Sequence, residues 1–375
     1  MTTTIYFFNN ARKRPFLELQ RSPDNIHRIP FQQADHQRNC WRVETELAQQ
    51  AQLKFRIDLG NYTYAFPQFG DSYDWYETPL RTVWVQRGQL FAYEPPPALS
   101  LPRVVKIPHF TGNSRFPPRS LYVYLPRGYD QQPRKKYPVI YMHDGQNCFE
   151  SWVQDSYAGS WKADEAADRL IAAGQIPDCL IVGISNGQHA RLAEYLPPFS
   201  TYTPPAAADG MPMTPIHGKA GETAVYYIHH VAPFIEAYYR AASDRTQRAT
   251  CGSSLGGLFS TYLAWEHSHF AYSHAALSPS YWITAINTNK LEMVDRLRHN
   301  RPRNIRLWLD SGTQSESGDD GKNNTIAARD ALLQNGYTLN KNLGYYLHEG
   351  AGHNENAWAE RLPRVLKFLL PFTSN

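Results

Sequence analysis

Cysteine is scarce in this chain: Cys40, Cys148, Cys179 and Cys251 are the only four among 375 residues. No two of them stand at metal-ligand spacing, which excludes a cysteine-built metal site. Three lie in or beside apolar stretches that read as core strands, where a free thiol behaves as a small hydrophobe. A surplus of either charge is also missing. The 38 Lys and Arg against 34 Asp and Glu leave a formal +4, too little to argue for a nucleic-acid partner. The one basic cluster, Arg134-Lys135-Lys136, precedes a strand and reads as a solvated turn. No apolar run reaches the ~20 residues of a membrane span. The opening segment, Met1-Thr2-Thr3-Thr4-Ile5-Tyr6-Phe7-Phe8-Asn9, has neither the charged start nor the long apolar stretch of a secretory signal, so a cytoplasmic protein is expected. No internal repeat appears. What remains is an ordinary globular composition, 42% apolar and 19% charged, in a chain long enough for two domains.

Proline marks the division. Tyr93-Glu94-Pro95-Pro96-Pro97 cannot continue a helix or a central strand and makes a stiff spacer. The expected boundaries are a β-sandwich over residues 1–94, a linker over 95–102 and a catalytic domain over 103–375. Before the prolines, alternating stretches at 40–47, 53–58 and 81–86 read as strands. The last passes through Arg87-Gly88 into 89–93, a hairpin signal. Such spacing suggests an antiparallel sandwich. After the linker, strand patterns at 137–142, 180–184, 305–309 and 343–348 alternate with helical patterns at 162–173, 227–239, 324–335 and 358–370. That alternation implies a mainly parallel sheet with helices on both faces.

The chemistry gathers at Cys251-Gly252-Ser253-Ser254-Leu255-Gly256-Gly257. The G-x-S-x-G pattern describes a strand that turns sharply into a helix and exposes one hydroxyl, here that of Ser254. The flanking residues 248–251 and 258–265 suit that strand and helix. A histidine in a glycine-rich turn, Gly350-Ala351-Gly352-His353, follows a strand near the C-terminus and suits a general base. The acid should sit between them in the chain, on the loop after strand 305–309. Asp310, Glu316, Asp319 and Asp320 compete there. Asp310 reads as structural and Asp319 and Asp320 as solvated, which leaves Glu316 as the expected acid. For the oxyanion, one backbone N–H should come from Leu255 and another from Gly145 or Gln146, in the turn after strand 137–142. Asp144, Asn147, Ser253 and Trp282 are candidates for the substrate pocket. No metal and no organic cofactor is required.

From about Arg103 onward the chain resembles the putative-esterase family of α/β-hydrolases. That family includes enterochelin-type, feruloyl and acetyl-xylan esterases. The likeness rests on Ser120-Leu121-Tyr122-Val123-Tyr124-Leu125-Pro126, Tyr141-Met142-His143-Asp144-Gly145-Gln146-Asn147 and Ile181-Val182-Gly183-Ile184-Ser185-Asn186. It continues through Arg191-Leu192-Ala193-Glu194-Tyr195, the Ser254 motif, Leu277-Ser278-Pro279-Ser280-Tyr281-Trp282 and the His353 turn. The resemblance implies an α/β-hydrolase fold and ester hydrolysis. Many relatives carry the acid three residues after the glycine of a Gly-Thr pair. Ser315 holds that place here, and Glu316 follows it. In the first 94 residues the order Trp41, Phe55-Arg56, an aromatic-rich loop and then Val83-Trp84-Val85 resembles the immunoglobulin-like domains that precede esterase or glycan-active domains.

Two other stretches carry expectations. Tyr62, Tyr64, Phe66, Phe69, Tyr73, Trp75 and Tyr76 crowd one loop and are expected to pack the sandwich on the catalytic domain, a glycan platform being the other reading. Residues 197–223, with six prolines, form a long excursion expected to cover the site. The function expected is a serine ester hydrolase acting on a small-molecule or glycan ester, with no nucleic-acid or membrane partner. Its oligomeric state is not read from the sequence. An acyltransferase and an inactive glycan-binding homologue are the rivals.

Overall fold

The computed structural model describes every residue except 1, 9–13, 23–24, 36–39, 47–51, 61–62, 66–74, 87–88, 95–102, 113, 115, 206–212, 287–289, 315–317 and 371–375. Ten strands come first: β1 (Thr2–Phe8), β2 (Phe16–Ser22), β3 (Asn25–Pro30), β4 (Gln32–Asp35), β5 (Cys40–Glu46), β6 (Leu53–Gly60), β7 (Thr63–Ala65), β8 (Tyr76–Thr78), β9 (Thr82–Gln86) and β10 (Gln89–Phe91). They make two sheets, one ordered β10-β9-β1-β5-β4 and the other β3-β2-β6-β7 with β8 also on β6. The alternation seen in the sequence has the expected cause. In β1, Thr3, Ile5 and Phe7 are buried while Thr4, Tyr6 and Phe8 are only partly covered. Ile5, Phe7 and Val83 of one sheet join Leu17, Phe55 and Ile57 of the other in one apolar cluster, so the sheets pack face to face. Each such side chain taken fully from water contributes roughly 1.5–3 kcal/mol against chain entropy. The layers are antiparallel apart from one pair. β1 and β9 run parallel, Ile5 opposite Val83 and Phe7 opposite Val85.

The remainder alternates strand and helix: β11 (Arg103–Phe110), β12 (Arg119–Leu125), β13 (Val139–His143), α1 (Ala163–Ala172), β14 (Leu180–Ile184), α2 (Arg191–Tyr195), β15 (Thr201–Tyr202), β16 (Ile216–His217), α3 (Ala220–Tyr226), α4 (Ala232–Tyr238), β17 (Arg248–Ser253), α5 (Leu255–Glu266), β18 (Ser273–Leu277), α6 (Glu292–His299), β19 (Arg306–Ser311), α7 (Lys322–Gln334), β20 (Leu343–Leu347) and α8 (Glu355–Leu369). Eight of these strands form one sheet, ordered β11-β12-β14-β13-β17-β18-β19-β20. It is antiparallel at the β11 and β12 end and parallel from β14 onward.

Helices cover both faces because both faces are apolar. Ile140, Met142, Ile181 and Cys251 point to the side of α1 and α8, against Leu170 and Leu362. Val139, Tyr141 and Val182 point to the other side, against Tyr227, Ile235 and Phe259. This is why β13, β14 and β18 are buried at every position and show no polar alternation. One helical boundary differs from expectation. The segment expected at 227–239 begins earlier, at Ala220, and a π-helical turn, Tyr227–Val231, joins α3 to α4.

The sandwich packs on the catalytic sheet. Its core residues belong to the same apolar cluster as Ile107, Phe110 and Tyr238, and β7 lies against β11. Burial, with Asp58 adding to it, raises the Tyr238 phenol. The proline-rich stretch 95–102 and Tyr62, Phe66, Phe69 and Tyr73 of the aromatic loop lie outside the described residues. Of the loop's other rings, Tyr76 is buried and stacks on Phe55 with centroids 5.1 Å apart. Trp75 carries the Arg56 guanidinium on its face at 4.7 Å. Among the described residues no helix is long and apolar enough to cross a membrane.

All four cysteines are buried, and burial pushes the thiols of Cys148, Cys179 and Cys251 well up. The folded protein should therefore release less than one equivalent of thionitrobenzoate within minutes of mixing with Ellman's reagent, and four equivalents in guanidinium chloride. Two or more fast equivalents in the native state would contradict this packing.

Candidate active site

The site is built around the junction of β17 and α5. Strand β17 ends at Ser253 and the chain enters α5 at Leu255, with Ser254 between them at φ 56° and ψ −122°. A residue with a Cβ occupies that region only when its surroundings hold it there. Here they do. Ser254 N–H donates to the Leu277 carbonyl (2.9 Å), and Ser280 N–H donates to the Ser254 carbonyl (3.0 Å). The helix can start so close to the strand because Gly252 has no side chain. A Cβ there would stand 2.6 Å from His143 Cδ2 and 2.7 Å from the Gly256 carbonyl carbon. The Ser254 hydroxyl is left at the surface of the turn, 3.2 Å from the Ser280 hydroxyl.

His353 arrives from the loop after β20. That loop is fastened to the one after β19, where Thr313 N–H and Gln314 N–H both donate to the Ala351 carbonyl at 3.1 Å. Gly350 N–H donates to Thr313 Oγ1 at 2.8 Å. His353 Nδ1 lies 2.5 Å from Asp320 Oδ1, with the carboxylate wholly buried and the imidazole 34% exposed. This pairing places the ring proton on Nδ1 and leaves Nε2 as a base. The other oxygen of Asp320 accepts hydrogen bonds from the Ser278 hydroxyl (2.7 Å) and from Gly312 N–H. The carboxylate on the histidine is thus Asp320, where Glu316 was expected. Glu316 itself lies outside the described residues. Asp320 read as solvated because its loop is polar and glycine-rich. Those same glycines, Gly318 at φ 146° and Gly321 at φ 70°, accompany a turn that folds Asp320 inward. Asp319 instead accepts Asn323 N–H at the start of α7. Asp310 is buried at the end of β19.

Ser254, Asp320 and His353 border one cleft of about 1050 Å³, with Ser280, Trp282, Gln314, Asn324 and Asn354 on its walls. Trp282 is 47% exposed there. Tyr202, from the 197–223 excursion, meets it edge-on at 6.4 Å. The described residues of the sandwich and of the excursion are not among those that border the cleft.

The other pocket candidates fall beneath the site. Asp144 is buried, its carboxylate held by Arg191 Nε (2.7 Å), Arg191 Nη2 (2.8 Å) and Asn186 Nδ2 (2.6 Å). Burial opposes its ionisation, but Arg191 and Asn186 outweigh this and hold the carboxyl below its ordinary range. Asn147 bridges Glu355 (3.2 Å) and Ser156 (2.7 Å). Ser253 is buried at the end of its strand. These three brace the turns that carry the expected oxyanion donors. Gly145–Asn147 is one 3₁₀ turn, entered through Asp144 at φ 55°, and a Cβ on Gly145 would strike the Gly183 backbone of β14. The Gln146 side chain accepts Asn186 N–H at 3.2 Å. Leu255 begins α5, where backbone N–H groups have no acceptor within the helix.

Four neighbours had no role in the sequence reading. Ser280 meets the Ser254 hydroxyl. Ser278, Trp358 and Arg361 surround Asp320 and His353. Trp358 puts its ring edge against His353, centroids 5.0 Å apart at 81°, and donates through Nε1 to Ser278 Oγ at 3.1 Å. Arg361 donates to the same oxygen at 2.9 Å. Three residues apart on α8, Trp358 and Arg361 share one face, a spacing the sequence did contain. Among the described residues no group of three or more His, Cys, Asp or Glu side chains is placed to hold a metal ion.

A crossed, mainly parallel sheet with a serine at a strained strand-to-helix turn is the architecture of an α/β-hydrolase. The family follows from comparison: residues 117–369 match the sequence profile described as "Putative esterase", and the chain belongs to that esterase family. It is a carboxylic ester hydrolase. It is similar to an uncharacterised Bacillus subtilis protein, YbbA, at 23% identity over 268 residues, 70% of this chain and 94% of that one. Among solved structures, it resembles a ferulic acid esterase with a TM-score of 0.54 at 20% identity, over 72% of this chain and 98% of the other. It also resembles the enterobactin esterase of Shigella flexneri, with a TM-score of 0.55 at 13% identity. That match spans 98% of this chain, the sandwich strands included, and 92% of the other.

Buried imidazoles near the site make stability pH-dependent. Burial pushes His143, 3.0 Å from Ser260 Oγ, down to about 3. It does the same to His274, which sits 2.8 Å from Thr250 Oγ1. Each stays neutral in the fold but takes a proton on unfolding below about 6.5, so stability falls as pH drops from there toward 3. Asp310 acts in the opposite sense. Burial pushes it up to about 6, so the fold holds its proton where the unfolded chain does not, and stability gains as pH falls through 6. Burial also raises Asp168, Glu194 and Glu355, but the two imidazoles shift furthest and outweigh these carboxyls. Urea unfolding should show stability decreasing from pH 6.5 to 4.5, and His274→Gln should flatten the slope by about 1.4 kcal/mol per pH unit. An unchanged slope in that variant would remove His274 from the account.

Proposed function

We propose that the chain is a serine esterase in which Ser254 is the nucleophile, His353 the general base and Asp320 the carboxylate that orients it. The observation that carries this reading is the hydrogen bond from His353 Nδ1 to the buried Asp320, on the same cleft as the strained Ser254 turn. Ser254 Oγ attacks the ester carbonyl while His353 Nε2 takes its proton. The tetrahedral oxyanion is received by Leu255 N–H and an N–H of the Gly145–Gln146 turn. The imidazolium, paired with Asp320, then gives its proton to the departing alcohol. Water attacks the acyl-enzyme with His353 again as base. Exposure of a third of the imidazole leaves room for that water and favours hydrolysis over transfer to another alcohol.

The substrate is an ester with a large planar part. An exposed indole in a cleft offers a flat apolar face, and Gln314, Asn324 and Asn354 offer hydrogen-bonding groups beside it. The likeness to a ferulic acid esterase, and to an enterobactin esterase solved with enterobactin, is in keeping with a feruloyl ester or a siderophore lactone. An acetylated sugar would use the Trp282 face less.

Ser254→Ala and Asp320→Asn should each lower kcat/KM on p-nitrophenyl esters by about 10³- to 10⁴-fold with the fold intact by circular dichroism. Glu316→Gln should stay within about twofold. Fluorophosphonate should label the wild type and not Ser254→Ala. If Glu316→Gln is crippled and Asp320→Asn is not, the acid is Glu316 and the assignment to Asp320 fails. Feruloyl esters should exceed acetyl esters of equal leaving group in kcat/KM, and Trp282→Ala should narrow that preference.

A further inference from the structure

Behind the cleft lies a charged group that the reaction as drawn leaves idle. Arg361 is wholly buried in the middle of α8. Its Nη1 stands 3.4 Å from Asp310 Oδ1 and 3.8 Å from Asp320 Oδ2, both carboxylates equally buried. A buried guanidinium is costly to desolvate and persists where it balances buried charge. Here one cation faces two carboxylates, and only one of them touches His353. Asp310 is held otherwise, by Trp308 Nε1 at 2.7 Å.

The hydrogen bonds have one consistent direction. Ser278 Oγ receives Trp358 Nε1–H at 3.1 Å and Arg361 Nη2–H at 2.9 Å. A hydroxyl that accepts two donors turns its single proton elsewhere, and the remaining neighbour is Asp320 Oδ2 at 2.7 Å. With Gly312 N–H on that same oxygen, Oδ1 is left to face His353. The backbone supports the arrangement. Ser278 N–H donates to the Asp310 carbonyl at 2.8 Å, which ties the ends of β18 and β19 together beneath the acid.

We infer that Arg361 is a positioning residue for the esterase reaction: it balances the charge of Asp310 against Asp320 and turns the Ser278 hydroxyl toward Asp320, so that one fixed, charged oxygen meets His353. This rests on the reading of Ser254, His353 and Asp320 as the catalytic groups. Without Arg361, two neighbouring buried carboxylates lose their counter-charge, and one of them holds a proton to higher pH. The imidazole also sits in a more negative field. Both effects delay, to higher pH, the deprotonated state that catalysis needs. Burial raises Asp310 to about 6 even with Arg361 opposing it, which agrees with that direction. Arg361 reaches no solvent, so it cannot touch substrate.

The test is the pH profile of kcat/KM on a p-nitrophenyl ester, measured for Arg361→Met, Asp310→Asn and the double variant. Arg361→Met should lose roughly 10- to 100-fold in kcat at pH 7 with KM within twofold, and its acid limb should move up by about one pH unit. Adding Asp310→Asn removes one negative charge with the positive one, and the acid limb should return toward the wild-type position. A merely structural arginine would lower activity evenly across pH and show no return. That outcome, or a wild-type profile in Arg361→Met, overturns the inference. Should Arg361→Met fail to fold, Asp310→Asn alone decides: its acid limb should move down, and an unmoved limb overturns the inference. Asp320→Asn separates the two levels. If it keeps wild-type activity the catalytic assignment itself fails, whereas severe loss there with unmoved limbs in the other variants sinks only the role of Arg361.

Discussion

A turn that should not be comfortable sets the terms for this molecule. Ser254 holds φ and ψ outside the basins open to residues with side chains, and it does so between the sheet's central strand β17 and a helix buried from Gly256 to Trp265. The strain is tolerated because the surroundings over-determine it. Strand β18 takes the Ser254 N–H, the turn after β18 takes its carbonyl, and Gly252 lets α5 pack against β13 without a Cβ between them. Moving any of these would let the serine relax into an ordinary turn and withdraw its hydroxyl from the cleft. The parallel sheet, with its helices on both faces, supplies the rigidity that keeps the three supports in place.

The polar groups around that turn form two layers with different work. On the cleft side, Ser254, His353, Ser280 and Trp282 are open to a ligand. Beneath them run two buried networks. One joins Asp144, Arg191 and Asn186 and braces the Gly145–Asn147 turn. The other joins Asp310, Arg361, Ser278 and Trp358 and braces Asp320. Both contain an arginine against a buried carboxylate, an arrangement that is weak as a source of stability and strong as a source of fixed geometry. Their placement under Ser254, His353 and Asp320 fits the second use. The sandwich stands apart from this. It shares apolar core with the catalytic sheet, yet among the described residues it contributes nothing to the cleft wall.

Much of this was legible in the sequence. The parallel strands announced themselves as short, uninterrupted apolar runs, because a strand buried on both faces has no polar side. The strand-to-helix turn at Ser254 was legible because it demands small residues at fixed local positions, and Gly252 and Gly256 stand two residues to either side of Ser254. The place of His353 was legible for a similar reason, in a glycine-rich turn after the last strand. The parallel pairing of β1 with β9 was not, since strand partners are chosen by contacts between residues some eighty positions apart.

The carboxylate that meets His353 marks the boundary between what sequence and tertiary structure each decide. Locally, Glu316, Asp319 and Asp320 are equivalent: carboxylates in a polar loop. The sequence points to a carboxylate from this loop, because the loop follows a late strand; in the sheet β19 lies between β18 and β20, the strand that leads to His353. Which carboxylate turns inward depends on Ser278 and Gly312, which donate to it, and on Trp358 and Arg361, which donate in turn to Ser278. They meet only when β18, β19 and α8 are assembled. A carboxylate leaves water for a buried position only where such donors and a counter-charge are already waiting, and that place is not written in the residues beside it.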